Sequence, residues 1–131
     1  MLLTSAIFGG LHIFNNNSTV LSSANLAFLG IMFAVGYVAT GELGLPIGLH
    51  MSWNFFQGTV FGLSVSGAKE GASLLAIQQT GPTLFTGGAF GPEAGLMGTV
   101  AGALGIVLIV GWARNRRRVP FAVIPHPASM D

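Results

Sequence analysis

Residues 44–58, "GLPIGLHMSWNFFQG", place His50 and Asn54 four positions apart inside an otherwise apolar run. Taken alone, the stretch fits a buried helix of a soluble domain or a helix in lipid. Its surroundings decide between them. The 131-residue chain is 51% hydrophobic and 7% charged, whereas soluble domains carry about a quarter charged residues. Working outward from 44–58, the apolar run extends over 45–65, and three more cover 2–14, 21–40 and 95–112. Crossing a hydrocarbon layer of about 30 Å takes about 20 apolar residues. Three of the runs meet that length and the first is short. The expected fold is all-α, a polytopic transmembrane helix bundle of about three full spans plus a truncated first helix. The first run has no basic n-region and no cleavage site, so it does not read as a signal peptide.

The runs are separated by "NNNSTV", by the tight "GELGLP" and by a long Gly-, Pro- and Thr-rich connection from 66 to 94. Near its end, Pro92 and Glu93 suit the first turn of a helix, where a missing N–H costs nothing and a carboxylate meets the positive dipole end. Glu93 is therefore read as a helix start and not as a catalytic acid. Four of the five basic residues, Arg114, Arg116, Arg117 and Arg118, follow the last run, and retention of positive charge in the cytoplasm places the C-terminus there. This divides the chain into a membrane domain, 1–113, and a basic, Pro-containing cytoplasmic tail, 114–131, whose His126 is read as solvated. The tail has no basic, aromatic-bearing fold around it, so nucleic acid is not expected as a partner. The connection 66–94 and the Asn-rich turn then face outward. Asn16 and Asn17 each begin an N-x-[ST] pattern, read as an Asn-rich turn.

Glycine pairs at small-xxx-small spacing (Gly44 and Gly48, Gly58 and Gly62, Gly91 and Gly95, Gly98 and Gly102) are explained by close helix packing. No P-loop or dinucleotide fingerprint is present, no cofactor is implied, and the absence of cysteine excludes disulfides and thiol chemistry. Of the few polar residues inside the runs, three matter: His12, His50 and Asn54. Ionisable or polar groups in lipid are expensive enough that each is a functional hypothesis. Helical periodicity puts the members of an i, i+4 pair on one face, so His50 and Asn54 would share a space, and both can donate a hydrogen bond without carrying a full charge. Such donors suit an oxyanion formed by attack on a carbonyl. Equally, they suit polar residues that hold a bundle together, and spacing alone does not choose.

"FGGLH" and "HMSWN", separated by one apolar span and followed by "TGGAFGPEAGLMG" before a last helix, resemble the CPBP family of intramembrane proteases. That family includes type II CAAX prenyl endopeptidases and proteins related to lysostaphin resistance protein A and to bacteriocin immunity. Phe8 and His12 match its F-x-x-x-H motif, and His50 and Asn54 its H-x-x-x-[ND] motif. The resemblance implies an endopeptidase in which a glutamate activates water, His12 helps to hold it, and His50 and Asn54 meet the oxyanion. Those three are the candidate catalytic residues. The family's E-E-x-x-x-R motif, which supplies the glutamate, is absent: Glu42, Glu70 and Glu93 are not paired, and none is followed four residues later by arginine. The chain is accordingly expected to be the C-terminal part of such a protease, a fragment nearly inactive alone.

No metal is expected, since two histidines and an amide fall short of the three ligands and open position of catalytic zinc. The expected surroundings are a peptide or membrane-protein substrate and the lipid bilayer, in the plasma membrane of a prokaryote. Oligomeric state and substrate identity are not readable. A non-catalytic CPBP-like scaffold or immunity-type protein is the alternative, and a small channel is disfavoured by the scarcity of charge in the spans. One geometric condition applies to the catalytic reading. If every run were a straight span, His12 and His50 would lie about 15–20 Å apart at 1.5 Å rise per residue, too far to share a substrate.

Overall fold

The computed structural model describes residues 1–69 and 71–116. Glu70, Arg117, Arg118, His126 and the rest of the tail lie outside the described residues. The regular structure of the described residues is helical, with one isolated bridge between Val65 and Ala68 in the connection. The helices are α1 (Leu2–Leu11), α2 (Val20–Thr40), α3 (Gly44–Asn54), α4 (Thr83–Thr86) and α5 (Leu96–Arg116).

Two helices, α2 and α5, are each 21 residues long and apolar enough to cross a membrane, which at 1.5 Å per residue matches a hydrocarbon layer of about 30 Å. With the exposure of large apolar side chains such as Leu104, Val107 and Leu108, this makes the chain a helical membrane protein whose outward-facing residues are solvated by lipid. Local chemistry fixes the ends of α2. Thr19 and Ser22 form a reciprocal capping box at its start, satisfying two backbone donors that no intrahelical carbonyl can reach. Gly41, in the left-handed region with φ 75°, closes it with a bond from its N–H to Tyr37 O at 2.7 Å. Only Gly41, Glu42 and Leu43 separate α2 from α3, so α3 folds back along it, and Leu45 packs against the backbone of Gly36.

The central element is α2, with α1, α3 and α5 packed on it. Leu26, Leu29 and Met32 of α2, Ile109 of α5, and Phe90 and Ala94 from the connection form the buried core. Glycine governs two of these approaches. A Cβ at Gly9 would lie 2.4 Å from Ser23 O, and one at Gly102 would lie 2.8 Å from Leu29 Cδ2, so α1 and α5 approach α2 through bare backbone. Gly98 is similarly close to the Glu93 backbone. The expectation for Gly44 and Gly48 is not met, since nothing stands within 4 Å of a Cβ at either. Both face away from neighbouring elements, and their spacing alone created the packing pattern.

The run 45–65 does not stay α-helical. After eleven residues α3 passes into a six-residue π-helical turn, Phe55–Val60, and Gly62, at φ 69°, ends the helix. The chain then forms a tight turn in which Ser66 (φ 48°) and Gly67 (φ 84°) both take positive φ, closed by reciprocal Val65 and Ala68 bonds of 2.8 and 2.9 Å. The connection also differs from a plain outer loop. It carries α4 and two 3-10 turns, Gly88–Phe90 and Pro92–Ala94, and Phe90, Glu93 and Ala94 are buried. Irregular backbone at that depth is tolerable only where protein encloses it, and here α2, α5 and the end of α3 do so.

Candidate functional site

The first half of the site comes from α1. His12 closes that helix and opens a 3-10 turn, His12–Phe14. Its Nδ1 lies 2.6 Å from Phe8 O. A carbonyl can only accept, so Nδ1 carries the hydrogen, which in the neutral tautomer leaves Nε2 as the acceptor. The Phe8 ring lies 4.7 Å from the His12 ring, centroid to centroid. The motif F-x-x-x-H thus has a local meaning, because the phenylalanine backbone fixes the imidazole tautomer and its ring supports the imidazole face.

The second half comes from α3. His50 packs edge-on against the same Phe8 ring at 5.7 Å and against Phe33 of α2 at 5.3 Å. Asn54, one turn later, places Nδ2 3.4 Å from His50 Nε2. That contact is at the long limit for a hydrogen bond, so the resting pair is loosely engaged and both groups are free to turn toward a stronger acceptor. Because His12 and His50 flank one phenylalanine, their separation cannot exceed the two centroid distances laid end to end, which is well below the roughly 15–20 Å of straight spans. The convergence has two causes. Gly9 lets α1 lie close on α2, and α3 folds back directly after the turn at Gly41.

A small, partly open cavity of about 20 Å³ adjoins His50 and Asn54, with Phe8, Phe33, Ser66 and Glu93 also among its lining residues; His12 does not line it. Its size is close to the 10–15 Å³ that a single water needs. Beside it lies an open groove of about 470 Å³, walled by Leu49, Trp53, Phe56, Phe61, Leu63 and Pro92 among others. Trp53 lines both.

Glu93 is the residue that sequence reasoning missed. It does sit in the first turn of a 3-10 segment after Pro92, as the helix-start reading has it, yet it is 1% exposed and turned inward. Its carboxylate accepts hydrogen bonds from Gln57 Nε2 and from the backbone N–H and hydroxyl of Ser66. A lone carboxylate buried without a cation is costly unless its lone pairs are filled, and these three neutral donors fill most of them. The only signal available from sequence was the cost of the burial itself, which is invisible when Pro-Glu before a helix already has a sufficient local explanation. Among the described residues no three His, Asp or Glu side chains cluster at metal-binding distance.

The fold and site define a class, a helical membrane protein with two imidazoles flanking one aromatic ring and a carboxamide one turn beyond the second, beside a small cavity. Residues 1–56 match the family described as type II CAAX prenyl endopeptidase Rce1-like, consistent with the CPBP resemblance read from Phe8, His12, His50 and Asn54, all of which fall within the matched segment. Gln57, Ser66 and Glu93 lie beyond it. No curated protein and no solved structure matches the chain.

Proposed function

We propose that this chain supplies the water-holding and oxyanion-stabilising part of an intramembrane endopeptidase site. The carrying observation is that His12 and His50, drawn from two helices, flank the Phe8 ring, and that His50 and Asn54 line a cavity of single-water size to which Phe8 also contributes. In this reading the bare Nε2 of His12 accepts a hydrogen bond from the attacking water. As the water oxygen bonds to the scissile carbonyl carbon, negative charge moves onto the carbonyl oxygen, and the Asn54 amide and the His50 ring turn from each other to donate to it. The proton leaving the water goes to a general base and from there to the departing amine, so one water is consumed and the peptide bond is broken without a covalent intermediate. The family resemblance assigns that base to a glutamate in E-E-x-x-x-R, a pattern absent from these 131 residues. Activity is accordingly proposed for this chain together with a segment bearing that motif, and the 131 residues alone are expected to be nearly inactive. The second reading is a non-catalytic scaffold or immunity-type protein of the same family.

The apolar groove beside Trp53 fits an extended apolar substrate segment entering from lipid. The test is cleavage of a prenylated CAAX peptide and of an unprenylated apolar peptide in lipid vesicles, by the chain joined to an E-E-x-x-x-R segment. Loss of an oxyanion donor typically costs about 100- to 1,000-fold in kcat, so His50→Ala and Asn54→Ala should each lose cleavage on that scale. Cleavage that survives both would overturn the assignment, and no cleavage of either peptide by the unsubstituted protein would favour the scaffold.

A further inference from the structure

A chain of hydrogen bonds runs across the outer end of the site and joins its two halves. Asn15, three residues after His12, donates from Nδ2 to Ser66 O at 2.9 Å. Ser66 in turn donates its N–H and its hydroxyl to Glu93. The other carboxylate oxygen of Glu93 accepts from Gln57, three residues after Asn54. Gln57 also donates to Ser64 O. From the end of α1 to the π-turn that ends the His50–Asn54 helix, the path therefore passes through one buried carboxylate.

We propose that Glu93 is a positioning residue of the site, holding the helix of His12 and the helix of His50 and Asn54 in register by bridging Ser66 to Gln57. The proposal rests on the reading of those three residues as a site. The surrounding backbone is shaped for the bridge. Gly91 has φ 121°, and a Cβ there would stand 2.2 Å from Ser64 O. Gly67 has φ 84°, and a Cβ there would stand 1.9 Å from Asn16 O. The turn bearing Glu93 and the turn bearing Ser66 are thus pressed onto the two helix ends by glycines that no other residue replaces without moving backbone. The π-turn has the same logic. Its wider ring changes the direction in which residues after Asn54 project, and the residue it carries inward is Gln57, which is buried.

A carboxylate that only pinned a loop would leave the imidazoles undisturbed, and the chain has only three histidines, His12, His50 and His126. The experiment is nitrogen NMR of the full 131-residue chain in lipid bicelles with ¹⁵N-labelled histidine, comparing the native chain with Glu93→Gln and with the milder Ser66→Ala, which removes only the hydroxyl donor. Expected is a shift of the His50 and His12 ring resonances in both variants, smaller in Ser66→Ala, with His126 and the helical circular dichroism unchanged. His12 and His50 resonances that stay in place in a folded Glu93→Gln, or in Ser66→Ala should Glu93→Gln fail to fold, would overturn the proposal. In the cleavage assay, misplacement of site groups without loss of a substrate contact predicts a fall in kcat of about tenfold or more with KM nearly constant. Absence of cleavage by the unsubstituted protein would count against the proteolytic reading, while the resonances would still decide whether Glu93 positions the two rings.

Discussion

At the scale of single residues, Asn25 is a polar group of an apolar run that lies between helices and away from the candidate site. It is buried in α2, donates from Nδ2 to Gly95 O at 3.1 Å, and accepts from Thr99 Oγ1 at 3.0 Å, stitching α2 to the start of α5. Polar contacts between membrane helices contribute about 0.6–2 kcal/mol. Asn25→Leu should lower stability by about that amount, read as a lower midpoint of detergent-induced unfolding followed by tryptophan fluorescence. The histidine resonances should remain native, because Asn25 does not touch the His12–Phe8–His50 cluster. Residues such as His12, His50 and Asn54 were legible from sequence because a polar side chain stands out in an apolar run. Gln57 also stands in an apolar run and was passed over, whereas Glu93 and Ser66 were not legible. Glu93 and Ser66 lie in a connection where polar residues are ordinary, and the distance that makes them a network spans 27 positions.

Among the elements, length and hydropathy announced α2 and α5 closely, while the capping of α2 by Thr19, Ser22 and Gly41 emerged only in the structure. The π-turn was illegible, because 45–65 reads as one unbroken apolar run and the partner of Gln57 within the turn, Glu93, lies 36 positions away. Deleting Thr59 from it should return the segment to α-helical pitch and rotate everything beyond by about 100° while drawing it back about 1.5 Å. Helical content should survive and the His50 resonance should shift, as the Ser66 turn leaves Glu93. Close approach of α1 gives a paired prediction. Gly9→Val introduces branches where a Cβ already lies 2.4 Å from Ser23 O, and overpacking of this kind costs about 1–3 kcal/mol. Gly10→Ala, at a position with open space around its Cβ, should instead be neutral or gain up to about 1 kcal/mol from helix propensity. Equal unfolding midpoints for the two variants would show that α1 does not rest on α2 through Gly9.

For the whole molecule, access to the site depends on which end of the bundle faces which side. The site lies toward the end of α3 where the Ser66 turn, the Asn-rich turn and the Glu93 turn gather, and α5 leads from there to Arg114 and Arg116 at its far end. That far end has the marks of an interface, with the Arg116 guanidinium 4.7 Å from the Trp112 ring, a pairing of cation and aromatic suited to the headgroup layer. Because basic residues within about 15–20 positions of a span end are held in the cytoplasm, the arginine end should be inside and the site should open toward the outer side. The chain has no cysteine, so single introduced thiols report orientation without background. In intact cells a membrane-impermeant maleimide should label Gln78→Cys, in the exposed part of the connection, and should label Asn115→Cys only after the membrane is breached. Replacing Arg114, Arg116, Arg117 and Arg118 by glutamine should then produce a mixed population with both positions partly labelled, since nothing else in the chain carries a comparable charge bias. Labelling of Asn115→Cys in intact cells with the arginines in place would reverse the orientation, and water and substrate would then have to reach the His12–His50 cluster from the cytoplasmic side.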